Sequence, residues 1–172
     1  MTLIIRPETP ADTSAITRVN DQAFGQPNEG KLIENLRRSE NFIGALSLVA
    51  ESEGKVVGHI LFTKIKIVHE SGQADSLALA PMSVLPAHQN QNIGSQLVKE
   101  GLKRATDLGY RSVIVLGHPA FYPRFGFQPA SKWHIRCPFA VPDNVFMGLA
   151  LVPGGLDGVQ GMVEYGKAFQ EM

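Results

Sequence analysis

The stretch from Leu77 to Ala105, LALAPMSVLPAHQNQNIGSQLVKEGLKRA, constrains this chain more than any other. Leu77 to Leu85 is a short apolar, β-compatible run that Pro86 stops. A polar loop, His88-Gln89-Asn90-Gln91-Asn92, then leads into Ile93, Leu97, Gly101, Leu102 and Ala105, whose spacing marks one buried helix face. A strand feeding a helix in this way leaves backbone N–H groups unpaired at the helix start. With the positive end of the helix dipole, those donors can hold a phosphate or diphosphate. Gly94 and Ser95 keep side-chain bulk away, and Asn92 tolerates a left-handed backbone. The same residues also suit an ordinary turn before a packed helix, so local physics leaves both readings open.

Pro81 falls inside the apolar run, where it removes a ladder donor; this predicts a bulge or an edge strand. Downstream, Gly109 reads as a left-handed helix cap and Val113 to Leu116 as a buried strand parallel to the one before the helix. Gly117-His118-Pro119 lies at its carboxyl end, where open α/β sheets place ligands, so His118 is the histidine most worth testing. Upstream, Leu3 to Arg6 reads as a first strand. Asp12 or Thr13 is expected to cap a helix that buries Ala15, Ile16, Val19, Ala23 and Phe24. Glu29 to Arg38 resumes the helix after a break at Gly25-Gln26-Pro27-Asn28, offering Asn28, Glu29, Lys31, Glu34 and Asn35 as polar candidates. Leu46 to Glu51 and Val56 to Val68 form a hairpin around Glu53-Gly54-Lys55, and Gly72-Gln73 turns into the central strand. Gly58 marks a bulge or a close approach. Gly126-Phe127 is expected to begin a further strand and Phe146 to Val152 to form another. Residues 163–169 mix polar and apolar positions and fit no single element.

At 172 residues the chain fits one domain, residues 1–172, with a self-sufficient core. Acidic and basic residues balance at 16 each, so no basic field argues for nucleic acid or an anionic membrane. Any anion site must be local. The single cysteine, Cys137, excludes an intrachain disulfide and reads as a structural thiol. His59 and His69 have no metal-ligand spacing, and no metal is expected. With no secretory signal and no membrane-length apolar run, a cytoplasmic protein is expected. The apolar terminal strands could close a homodimer or complete the sheet.

Gln89-Asn90-Gln91-Asn92-Ile93-Gly94 resembles motif A of the GNAT superfamily of N-acetyltransferases, Gln/Arg-x-x-Gly-x-Gly/Ala, with Asn92 standing where the first glycine is usual. Phe121-Tyr122-Pro123-Arg124-Phe125-Gly126-Phe127 resembles the Tyr-x-x-x-Gly-Phe segment near the end of many such domains, and Ile5-Arg6-Pro7 with Asp12 is similar to their openings. The Gly-His-Pro-x-Phe-Tyr-x-Arg-Phe-Gly-Phe stretch most resembles a bacterial subgroup of acetyltransferases. The resemblance implies an α/β (α+β) acyl-CoA N-acyltransferase fold: a mixed central sheet with splayed parallel strands, flanked by helices. It implies acetyl-CoA as cosubstrate and an amine acceptor, with the helix pair after the first strand beside the acceptor pocket. By the same resemblance, Met82, Ser83 and Val84 would pair with the pantetheine arm. Gln89, Asn90, Gln91, Asn92, Ile93, Gly94, Ser95 and Gln96 would surround the diphosphate, and Tyr122 would protonate the departing thiolate. No general base is evident, Glu51, Glu29, Glu34 or a water chain being the candidates. A non-catalytic acyl-CoA-binding module with the same fold is the alternative. A nucleotide P-loop is rejected because no Gly-Lys-Ser/Thr follows the loop.

Overall fold

The computed structural model describes residues 2–170. In chain order it contains β1 (Leu3–Pro7), α1 (Thr13–Phe24), α2 (Asn28–Arg37), β2 (Phe42–Ser52), β3 (Lys55–His69) and β4 (Gly72–Val84). These are followed by α3 (Ile93–Asp107), β5 (Ser112–Leu116), β6 (Gln128–Pro129), β7 (Ile135–Arg136), β8 (Phe146–Ala150), β9 (Gly161–Glu164) and α4 (Lys167–Gln170). The strands make one sheet in the order β1-β2-β3-β4-β5-β8-β6, with β9 pairing both β3 and β7. β1 to β4 are successively antiparallel, and β4 pairs β5 in parallel. Among the described residues no helix is long and apolar enough to cross a membrane.

The expected mixed sheet with helices on both faces is therefore present. β3 shows how its sequence dictates this. Gly58 and Phe62 face α3: a Cβ at Gly58 would lie 3.1 Å from Leu97, and one at Gly101 would lie 2.3 Å from the Phe62 ring. His59, on the alternate face of the pleat, meets Asn20 of α1. α1 and α3 thus cover opposite faces. A register shift at Gly58 confirms the bulge there as well as the close approach.

Four expectations need correction. Asp12 does not cap α1 through its side chain. Its carboxylate instead accepts two bonds from Arg6, at 2.8 and 3.0 Å, and one from the Thr9 N–H at 2.7 Å. The Arg6 guanidinium holds the Asp12 carboxyl down at about 2, so the Ile-Arg-Pro opening is a clamp between β1 and α1. Phe24 is 42% exposed rather than core. Gly126-Phe127 starts no strand, because Gly126 closes a 3-10 turn over Tyr122–Phe125 with φ at 100°, leaving only Gln128–Pro129 to pair with β8. The strand expected over Phe146 to Val152 ends at Ala150, and residues 163–169 divide between β9 and α4. β8 and β9 complete the sheet, pairing with β5 and β3.

A polar chain crosses the main core. The Asn20 side-chain amide donates to the Ile16 carbonyl at 2.9 Å and faces His59 Nδ1 at 3.5 Å. His59 Nε2 lies 3.0 Å from Ser47 Oγ, which donates to Glu8, and Glu8 accepts two bonds from Arg37 at 3.1 and 3.2 Å. His59 is fully buried, and desolvation, with the Arg37 charge second, lowers its pKa to about 3. In the unfolded chain the ring takes up a proton near its ordinary 6.5; in the folded chain it does not until about 3. Stability should therefore fall as pH drops through that window, with a slope approaching ~1.4 kcal/mol per pH unit. Asp12 adds loss only below its ordinary 3.8. Urea unfolding between pH 6.5 and 4.5 is expected to show the slope in the wild type and to lose most of it in His59→Gln. Equal slopes in both proteins would assign the titration elsewhere.

Candidate active site

β4 and β5 are paired only from Leu77–Val113 to Leu79–Val115. Beyond Leu79 the two strands part. Opposite β3, Leu79 pairs with Phe62 but Met82 pairs with Ile60, so β4 carries one extra residue at Ala80-Pro81. The proline conflict in the sequence is thus a bulge inside the sheet. From Met82 onward the register is regular, and the Leu85 N–H donates to the Val57 carbonyl at 2.8 Å. By the alternation of antiparallel pairs, Leu85 and Ser83 turn their main-chain groups toward β3, whereas Met82 and Val84 turn theirs into the splay. The Val84 carbonyl accordingly accepts a bond from the Gln89 side-chain amide at 3.1 Å rather than from the ladder.

Past the strand end, Asn90 and Asn92 both adopt left-handed backbone, with φ of 63° and 67°. Asn92 precedes α3 and supplies no side-chain cap. Gln96 N–H already donates to the Asn92 carbonyl at 3.2 Å, so the α3 donors without an intrahelical acceptor are those of Ile93, Gly94 and Ser95. Ile93 buries its side chain in the core beside Gly58, and a Cβ on Gly94 would lie 3.3 Å from the Met82 methyl. The amide of Gln96 is thus already committed within the helix.

A cavity of about 990 Å³ fills the splay. It brings together Met82, Ser83, Val84, Gln89, Asn90, His118 and Tyr122; residues 91–96 lie outside its lining, at the α3 end. Tyr122 is 7% exposed, and burial pushes its phenol up to about 12. Its ring sits edge-on to Phe121 at 5.0 Å and Phe127 at 5.6 Å. A Cβ at Gly117 would come within 2.4 Å of the ring, so glycine is what leaves room for it. The Phe121 and Tyr122 N–H groups donate to the His118 carbonyl at 3.2 and 3.4 Å, which starts the turn that presents the ring. Of the proposed bases, Glu29 lines the cavity; Glu51, held by Arg6 at 3.3 Å, and Glu34 do not. Asn28, Lys31 and Asn35 are likewise outside the lining.

Sequence reasoning did not anticipate Phe24, Leu32, Leu116, Phe139, Tyr165 and Phe169 as lining residues. They come from α1, α2, the end of β5, the segment after β7 and the region of β9 and α4, and only the tertiary fold unites them. Chemically, the cavity offers an exposed main-chain edge to an extended ligand and a neutral phenol as a proton donor, and the start of α3 beyond it offers uncapped N–H groups to an anion. Among the described residues no group of His, Cys, Asp or Glu could hold a metal ion.

Comparison with known proteins matches this architecture. The family described as Acetyltransferase (GNAT) domain matches residues 44–129. The uncharacterized N-acetyltransferase YhbS of Escherichia coli K12 is 35% identical over 168 residues, covering 97% of this chain and 98% of that protein. The crystal structure of E. coli YhbS in complex with CoA superposes with a TM-score of 0.90 at 32% identity, covering 98% of this chain and 92% of that one. A GNAT acetyltransferase from Brucella melitensis in complex with acetyl-CoA gives 0.79 at 35% identity, covering 98% of each chain.

Proposed function

Because the chain belongs to the GNAT family of N-acetyltransferases, we propose that it transfers the acetyl group of acetyl-CoA to a primary amine by direct attack. The observation that carries this reading is the main chain of Met82 and the Val84 N–H, turned away from the β3 ladder toward a cavity that also holds Tyr122. The pantetheine arm adds to that edge as a strand would. The diphosphate sits on the N–H groups of Ile93, Gly94 and Ser95, with Asn90, Gln91, Asn92 and Gln96 around it, and Gln89 positions the Val84 carbonyl. The Val84 N–H, turned into the splay, donates to the thioester carbonyl and stabilises the oxyanion as the amine attacks. Ser83 contributes its side chain rather than its main chain, which pairs with His59.

The C–S bond then breaks, and the Tyr122 phenol, which stays protonated throughout the neutral range, gives its proton to the thiolate. A covalent enzyme intermediate on cysteine is disfavoured: Cys137, the only cysteine, does not line the cavity, and burial raises its pKa. The single sheet supports reading residues 1–172 as one catalytic domain, and the lone free thiol suits the cytoplasm.

Direct attack predicts sequential kinetics. Thiol release measured against both substrates should give intersecting double-reciprocal lines. Parallel lines would mean a ping-pong acyl-enzyme and overturn the mechanism.

A further inference from the structure

The same cavity carries information about the acceptor, an inference that rests on the acetyl-transfer reading above. α3 and α1 cover opposite faces of the sheet, so an acetyl-CoA seated at the start of α3 leaves the α1–α2 side for the amine. That side is walled by aromatic and aliphatic groups. Phe139 stacks on Tyr165 at 5.6 Å and 22°, and Tyr165 meets Phe169 at 5.1 Å, forming a continuous ladder of rings. Phe24, Leu116 and Phe139, three of the five large apolar side chains exposed among the described residues, lie on this one cavity. Clustered exposure of this kind marks a surface that a ligand covers.

Charge narrows the class further. Among the described residues, Glu29, half-buried on α2, is the only acidic residue lining the cavity, and no lysine or arginine lines it. An anionic acceptor would meet repulsion there with no counter-charge, whereas a cation would meet attraction. Ser83 supplies a second polar group. It is 3% exposed, its hydroxyl has no hydrogen-bond partner among the described residues, and its pairing with His59 places it on the α1 face. A buried hydroxyl without a partner gains from a ligand N–H.

We propose that the acceptor is an arylalkyl primary amine without an anionic group. Its ring lies against the Phe139–Tyr165–Phe169 ladder and Phe24, its ammonium is drawn in by Glu29, and an N–H reaches Ser83 Oγ. The ammonium gives one proton to bulk water before attack; the nitrogen becomes positive again as the C–N bond forms, and the second proton it then gives up restores the Tyr122 phenol that protonated the departing thiolate.

The test compares four acceptors in the thiol-release assay: 2-phenylethylamine, ethylamine, L-phenylalanine and spermidine. Phenylethylamine is expected to exceed ethylamine in kcat/KM by about 30-fold, the effect of burying a phenyl group. It is also expected to exceed L-phenylalanine, which has the same ring plus a carboxylate, by at least about tenfold. Glu29→Gln should raise KM for phenylethylamine about tenfold, and Phe139→Ala should reduce its advantage over ethylamine by a similar factor. Calorimetric titration of the same proteins with acetyl-CoA separates the two levels. If acetyl-CoA binds and spermidine or L-phenylalanine is the better acceptor, or no arylalkylamine is acetylated, the substrate class falls and the coenzyme site stands. If folded wild type fails to bind acetyl-CoA, both fall.

Discussion

Replacing Gly94 with glutamate is expected to weaken acetyl-CoA binding by at least about 100-fold, beyond easy detection by calorimetry. The position is the second residue of α3, between the two other N–H groups without an intrahelical acceptor. A side chain there first meets the end of Met82, with a Cβ 3.3 Å from its methyl and 3.4 Å from its sulfur. Met82 can move, because its side chain is unbranched and flexible. Glutamate is therefore tolerated and carries a carboxylate beside the turn. One unit charge 4 Å from another near a protein surface interacts with about 4 kcal/mol, and a diphosphate presents more than one charge. That repulsion exceeds the ~2.7 kcal/mol that a 100-fold loss requires. Unfolding is not the competing explanation, since an acidic side chain in the first helical turn complements the dipole and stabilises the helix. Wild-type thermal stability in the variant, together with lost binding, would locate the diphosphate at α3. Unchanged affinity would remove the diphosphate from this turn and leave it as a helix start only.

Much of this site could be read from residues because its parts are local. The strand, loop and helix around Gln89 to Ser95 lie consecutively in the chain, and their periodicity and turn chemistry determine where the free donors fall. Pro81 is the clearest case: a residue that contradicts its own strand marks the bulge that opens the sheet. Failures came where an interaction depended on partners outside the residue's own helix or strand. Asp12 has the composition of a helix cap but is bound by Arg6 across a loop. Phe24 fits the buried stripe of α1, yet it lies at the last turn, where the helix overhangs the splay. Tyr165 and Phe169 follow no clear periodicity, and only the pairing of β9 with β3 brings them to the cavity. The acceptor wall is assembled by topology and leaves little trace in any one segment.

Tyr122→Phe is expected to lower kcat by about 100-fold while leaving the acetyl-CoA dissociation constant within about threefold. The substitution removes one oxygen and retains the ring. The edge contacts with Phe121 and Phe127 and the slot above Gly117 should therefore survive. General acids contribute 10² to 10⁴ in rate, and the lower figure fits a departing thiolate, which leaves readily without help. The raised phenol pKa of about 12 does not argue against the role. A thiol ordinarily titrates near 8.5, but the burial that raises the phenol also destabilises a thiolate beside it, so the gap between their proton affinities does not widen by the full shift of the phenol. The same value predicts that wild-type kcat shows no falling limb from Tyr122 between pH 7 and 10. A purely packing role makes a different forecast. Phenylalanine would then match tyrosine in kcat, because every ring contact is retained. A variant that binds acetyl-CoA normally and turns over at the wild-type rate would remove Tyr122 from the chemistry and leave protonation of the thiolate to water. Normal binding with slowed turnover, insensitive to pH across that range, requires the hydroxyl itself.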